Sequence, residues 1–141
     1  MAVATKRVYE PLASSDGTRI LVDRLWPRGL RKDEIALDGW LRDLAPSNQL
    51  RKWFHSQPEE WLQFRKRYLK ELSRPELDSD LQKLYTLAHG RKRLTLLYAS
   101  KNDEHNNATV LKDLLEGMRK PPSAAGPGAL RAARQISIRR R

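Results

Sequence analysis

The sequence predicts an α/β fold: a single domain in which a small, largely parallel sheet is flanked by helices. Two strand-like runs and the spacing between them predict it. Thr18 to Trp26 is β-branched and apolar at its centre, and Leu94 to Ala99 is nearly continuous in apolar residues, as a strand covered on both faces should be. The stretches between and after them carry apolar residues at helical spacing. Strands separated by helices need crossover connections, and crossovers make neighbouring strands parallel. A chain of 141 residues fits one domain and can bury a real core.

In chain order, Lys6 to Glu10 reads as a short alternating strand, followed by the strand over Thr18 to Trp26. Trp26-Pro27-Arg28-Gly29 ends that strand in a rigid turn, with Gly29 free to take positive φ. Ser47 is placed to cap a short helix carrying Leu50, Arg51 and Phe54. Ser56-Gln57-Pro58-Glu59 reads as a capping box before a helix with Trp61, Phe64, Tyr68 and Leu72 on one stripe. Ser73-Arg74-Pro75-Glu76 repeats that signal ahead of Leu77, Leu81, Leu84 and Ala88, and Gly90 is expected to stop the helix in the left-handed conformation. A last helix is expected from about Glu104 to Arg119, with Ala108, Leu111, Leu115 and Met118 on its apolar face. Trp40, Trp53 and Trp61 stand beside Leu at such positions and read as core.

Pro121 to Gly128 is rich in helix breakers, so the domain is expected over 1–120 and a flexible basic tail over 121–141. The net charge of +11 divides accordingly. Five Arg and no acid lie in the tail, leaving 23 Lys and Arg against 17 Asp and Glu in the body. That excess suits polyanionic partners, DNA or RNA first. The absence of Cys excludes disulfides and thiolate metal sites and agrees with a cytoplasmic setting. No run of 18 apolar residues is present, so no membrane partner is expected, and a homo-oligomer stays open.

In parallel sheets ligands gather beyond the carboxyl ends of the strands. Two segments end there: Asp23 to Gly29, and Ser100-Lys101-Asn102-Asp103. Asp23 follows Ile20-Leu21-Val22, so its carboxylate sits near the buried end of a strand and needs a partner, with Arg28, Arg51, His55 and Lys101 as candidates. It reads as a metal ligand, a general base, the orienting group of a base, or a structural cap of the turn. Arg28 is a guanidinium fork suited to phosphate, and Lys101 a cation ahead of a helix N-terminus. His55 is the proton carrier best placed near neutral pH, whereas His89 reads as a helix-end residue and His105 as helix surface. No Gly-rich phosphate loop, metalloprotease helix, nucleophile elbow or dinucleotide fingerprint is present.

Lys6-Arg7-Val8-Tyr9, Leu21-Val22-Asp23-Arg24-Leu25-Trp26-Pro27-Arg28-Gly29, Ala45-Pro46-Ser47 and Leu96-Leu97-Tyr98-Ala99 together resemble the motifs of the YeaO-like branch of domain of unknown function family 488. Leu50-Arg51, Phe54-His55, Lys101 and Asn106 fit the same pattern, and the resemblance covers about residues 5–118. It implies a compact α/β domain with a parallel sheet, and no agreed activity. The wider family often carries a Cys-His pair after its last strand. This chain has no Cys, so no thiol chemistry is carried over.

The leading expectation is a protein that binds, and processes, a phosphate-bearing substrate such as nucleic acid by nuclease-like hydrolysis. Asp23, His55 and Lys101 would be its catalytic residues, and Arg24, Arg28, Arg51 and Asn106 its anion-binding set. Asp23 would also hold a divalent metal such as magnesium or manganese. Metal-dependent nucleases usually have an acid two residues before the Lys, and here that position is Ala99. A second carboxylate would have to come from Asp16, Glu34, Asp43 or Asp103. The alternatives are a non-catalytic nucleic-acid-binding module and a sensor of a small anionic metabolite.

Overall fold

A computed structural model describes residues 2–120; the expected tail over 121–141 lies outside the described residues. Four strands form one sheet in the order β1-β4-β2-β3: β1 Val3–Arg7, β2 Thr18–Leu21, β3 Gly39–Trp40 and β4 Leu94–Tyr98. All three pairings are parallel, with Arg7 beside Tyr98, Leu21 beside Leu97 and Leu21 beside Trp40. The carboxyl ends of all four strands therefore reach the same edge of the sheet.

β4 runs between β1 and β2, which is why every one of its residues is buried. Alternation along the pleat sends Leu94, Leu96 and Tyr98 to one face and Leu97 to the other. The first face meets the larger core, built from all four helices: α1 Asn48–Ser56, α2 Trp61–Leu72, α3 Asp78–Ala88 and α4 Asn107–Gly117. Phe64, Tyr68, Leu69 and Leu72 of α2 and Leu111, Leu114 and Leu115 of α4 lie within it. Each such buried side chain contributes about 1.5–3 kcal/mol of transfer free energy.

The second face is covered differently from the expected helical sandwich. Its cluster of Val8, Leu21 and Leu97 is closed by Trp26, Leu30, Ile35, Leu37 and Trp40, from the segment joining β2 to β3 and from β3 itself. No helix residue enters this cluster among the described residues. Trp26 and Trp40 meet edge to face at 5.4 Å and pack against it from outside.

Several local expectations shift. β1 begins at Val3 rather than Lys6, and β2 stops at Leu21 because the chain turns away at Asp23. β3 has only two residues, too few to show a period. Ser47 caps α1 as expected, accepting from the Leu50 amide at 3.1 Å. Neither expected capping box forms. Ser56 belongs to the last turn of α1 and donates to the Trp53 carbonyl, while Ser73 follows α2 and donates to the Lys70 carbonyl. In both cases the hydroxyl serves the C-terminal end of the preceding helix, adding a second bond to a carbonyl that already accepts a backbone amide. Gly90 does not take positive φ; among the described residues Gly17 and Gly29 do. α4 starts at Asn107, later than expected, under an Asn106 cap.

Candidate functional site

The carboxyl edge of the sheet is assembled by Asp23. Its Oδ2 accepts from the Ala99 amide at 2.9 Å, which ties the end of β2 to the end of β4. Its Oδ1 accepts from Asn107 Nδ2 at 3.1 Å, and the same nitrogen donates to the Val22 carbonyl at 2.8 Å. Its own carbonyl accepts from Trp40 Nε1 at 2.6 Å, bringing in β3. One residue thus joins three strand ends and the start of α4. Burial pushes the Asp23 carboxyl up from its ordinary value, while the Ala99 amide, the Asn107 amide and the Arg51 guanidinium each draw it down.

The expected partners divide. Arg51 lies close enough to act on Asp23 electrostatically, from the exposed side of α1. The direct hydrogen bonds come instead from Ala99 and Asn107. Arg24 turns to the loop before α1, donating from Nε to the Pro46 carbonyl at 3.2 Å and from Nη2 to the Ala45 carbonyl at 3.1 Å. Arg28 is exposed, and its carbonyl accepts from the Tyr9 hydroxyl at 2.7 Å, linking the loops after β2 and β1. His55 and Lys101 are exposed, and neither side chain has a hydrogen-bond or ion-pair partner among the described residues.

The helix N-terminus behind Lys101 is closed by its own chain. Asn106 Oδ1 accepts from the Thr109 amide at 3.0 Å, and Asn106 Nδ2 donates to the Asn102 carbonyl at 2.9 Å. Asn102 Oδ1 accepts from the Glu104 and His105 amides. Asn106 is therefore engaged in capping, and Lys101 stands on a loop ahead of it. Beside this loop, His105 stacks on Trp61 at 4.5 Å.

Below the edge, Tyr68 is fully buried and donates to the Leu44 carbonyl. Burial first, and then the Asp23 and Glu71 carboxylates, push its hydroxyl well above the ordinary value, so it remains a proton donor.

These residues do not fit a divalent metal. No group of three His, Cys, Asp or Glu side chains able to hold an ion occurs among the described residues, so Asp23 lacks the companion ligands a metal needs. Asp16 lies at the other end of β2, bonded by Lys6 and by Arg19, and its carbonyl accepts from Thr95 at the start of β4. Glu34 pairs with Arg31 on the loop surface, and Asp43 and Asp103 are exposed.

Asn107 is the residue that sequence reasoning missed. Its only signal is an Asn-Asn pair ahead of an apolar stripe, in which the first Asn reads as a cap and the second as filler. No helix among the described residues is long and apolar enough to cross a membrane.

Comparison with known proteins places the chain in a family. A family model described as "Inactive DUF488-N3 subclade" matches residues 2–126. The uncharacterized protein YeaO of Escherichia coli K12 is 46% identical over 118 residues, 84% of this chain and all of that protein. The uncharacterized protein Rv3073c of Mycobacterium tuberculosis H37Rv is 42% identical over 115 residues, 82% of this chain and 94% of that protein. No solved structure gives a significant match. With a family match over all of the described residues and a YeaO relative 46% identical, the chain belongs to the DUF488 family of YeaO-like proteins.

Proposed function

We propose that this protein is a non-catalytic binding domain for a phosphate-bearing polyanion, with nucleic acid the foremost ligand, and that it binds at the carboxyl edge of its sheet. The observation that carries this reading is the division of labour at that edge. Asp23, the residue best suited to catalysis, has its carboxylate oxygens hydrogen-bonded by Ala99 and Asn107, whereas Arg51 acts on it from the exposed side of α1, and Arg28 and Lys101 are exposed on the loops that follow β2 and β4. Cations left to solvent beside a rigid polar scaffold suit phosphate binding and supply no nucleophile. The excess of six positive charges in the body supports the same ligand class.

Phosphodiester hydrolysis is the weaker reading. It would require a second carboxylate next to Asp23, and a family described as inactive does not favour it. The test uses the full chain, wild type and Arg28→Ala/Arg51→Ala/Lys101→Ala, titrated against labelled DNA and RNA over a range of salt. Loss of three phosphate contacts is expected to reduce the slope of log affinity against log salt by roughly 2 to 3. An unchanged slope would sink the proposal, as would cleavage of either nucleic acid that depends on Asp23.

A further inference from the structure

A groove of about 480 Å³ opens between α1 and α2. Its α1 side offers the half-buried Trp53, with Leu50 beneath the surface at 5% exposure, and its other side Arg67, Lys70 and Arg74. Helical geometry separates it from the edge: on α1, Arg51 and His55 lie one turn apart on one flank, while Trp53 lies on the other.

The groove is built for negative charge. Glu71 is the one acid in its lining, and its oxygens are both engaged, accepting from the Ser47 amide at 2.8 Å and the Ser47 hydroxyl at 2.6 Å. The guanidinium of Arg67 rides 4.3 Å above the Trp53 ring, which fixes its position before any ligand arrives. The Lys70 ammonium has no partner among the described residues. Arg74 donates to the Glu71 carbonyl at 3.0 Å and has only an exposed contact of 3.7 Å with Glu76. Arg67 and Lys70 lie about one turn apart on α2, and Arg74 follows just past the end of that helix at Leu72.

We infer that this groove is a second binding site, taking one strand of single-stranded nucleic acid, with its phosphates on Arg67, Lys70 and Arg74 and a base or sugar against Trp53. This rests on the reading of the protein as a nucleic-acid binder. The Trp53 ring among these cations selects a single strand, because a duplex keeps its bases stacked inside and presents only its backbone. Its volume falls within the roughly 300–1,000 Å³ typical of small-ligand pockets, which admits nucleotide units rather than a duplex.

The experiment is fluorescence anisotropy of the full chain with a labelled 12-nucleotide DNA strand, the equivalent RNA strand and a 12-base-pair duplex, at several salt concentrations. Four proteins are compared: wild type, Arg67→Ala/Lys70→Ala/Arg74→Ala, Arg28→Ala/Arg51→Ala/Lys101→Ala, and Arg91→Ala/Lys92→Ala/Arg93→Ala. The last removes the same charge from the opposite, amino end of β4. All the substituted groove residues are exposed, so the fold is retained, and matching thermal melts check this. The groove variant is expected to bind single strands at least about tenfold more weakly, with a salt slope lower by about 2, and to lose less for the duplex. Single strands are also expected to quench Trp fluorescence, an effect absent in Trp53→Phe. If the groove variant binds single strands like wild type while the edge variant fails, the groove is refuted and the edge reading stands. If neither differs from the amino-end control, both are refuted. Equal losses for single strand and duplex overturn the strand selectivity and with it this inference. Stronger binding of RNA than DNA, with both lost in the groove variant, supports the site and assigns its sugar.

Discussion

Asn107 Nδ2 is shared between the Val22 carbonyl at 2.8 Å and the Asp23 carboxylate at 3.1 Å, so a single amide at the start of α4 holds the end of β2 from two sides. With Ala99 on the other carboxylate oxygen, this arrangement fixes where the carboxyl edge of the sheet begins.

Asn107→Ala should therefore destabilise the protein by about 1–3 kcal/mol, because it strands a buried carbonyl and weakens the support of a half-buried carboxylate. Asn107→Asp should cost more, since it sets a second carboxylate against Asp23. Urea unfolding followed by Trp fluorescence gives both values. A change below about 0.5 kcal/mol for Asn107→Asp would show that the shared amide contributes little.

Two carboxylates give opposite pH dependences. Burial raises Asp23 above 3.8, so its contribution to stability is fully present below pH 3.8 and is lost as pH rises through its folded value. Asp16 behaves in reverse. Burial alone would raise it, but the Ala13 amide, Lys6 and Arg19 together bring it below 3.8, so its contribution is present above pH 3.8 and is lost as pH falls through its folded value. Against wild type, Asp23→Asn should remove a loss of stability on the rising side of pH 3.8, and Asp16→Asn a loss on the falling side. Chemical denaturation at a series of pH values checks both signs.

Asp16 and Arg19 form a buried pair joined by Lys6, with Arg19 Nε also donating to the Ala36 carbonyl at 2.7 Å. Asp16→Ala leaves the Arg19 charge buried without its counter-ion, at a cost of about 3–5 kcal/mol. Replacing Arg19 and Asp16 together by Met and Leu should cost much less than the sum of the single changes, because no unpaired charge is left. Additive losses in this cycle would contradict an interaction between them.

The two glycines with positive φ should respond unequally. A Cβ on Gly17, at φ +68°, would lie 2.2 Å from the Arg93 carbonyl oxygen, so Gly17→Ala must move backbone at the amino ends of β2 and β4. A loss above about 3 kcal/mol is expected. Gly29, at φ +85°, has open space around it, so Gly29→Ala costs only the conformational penalty of about 1–2 kcal/mol. Melting temperatures that fall equally would overturn the distinction.

The apolar runs and periods in the sequence determined the parallel sheet, the apolar faces of its helices and the position of Asp23 at a strand end, because burial acts on each residue through local spacing. Ser47 was legible as a cap for the same reason: its oxygen reaches an amide three residues away. Only the tertiary structure decided that Asp23 meets Ala99 and Asn107, 76 and 84 residues further along, rather than His55 or Lys101. It also turned Ser56 and Ser73 toward the helices that precede them, and brought Trp53 of α1 under Arg67 of α2. The Asp23 and Trp53 contacts join segments whose separation in the chain carries no period, and they follow from how helices pack on a sheet face rather than from any residue's neighbours in sequence.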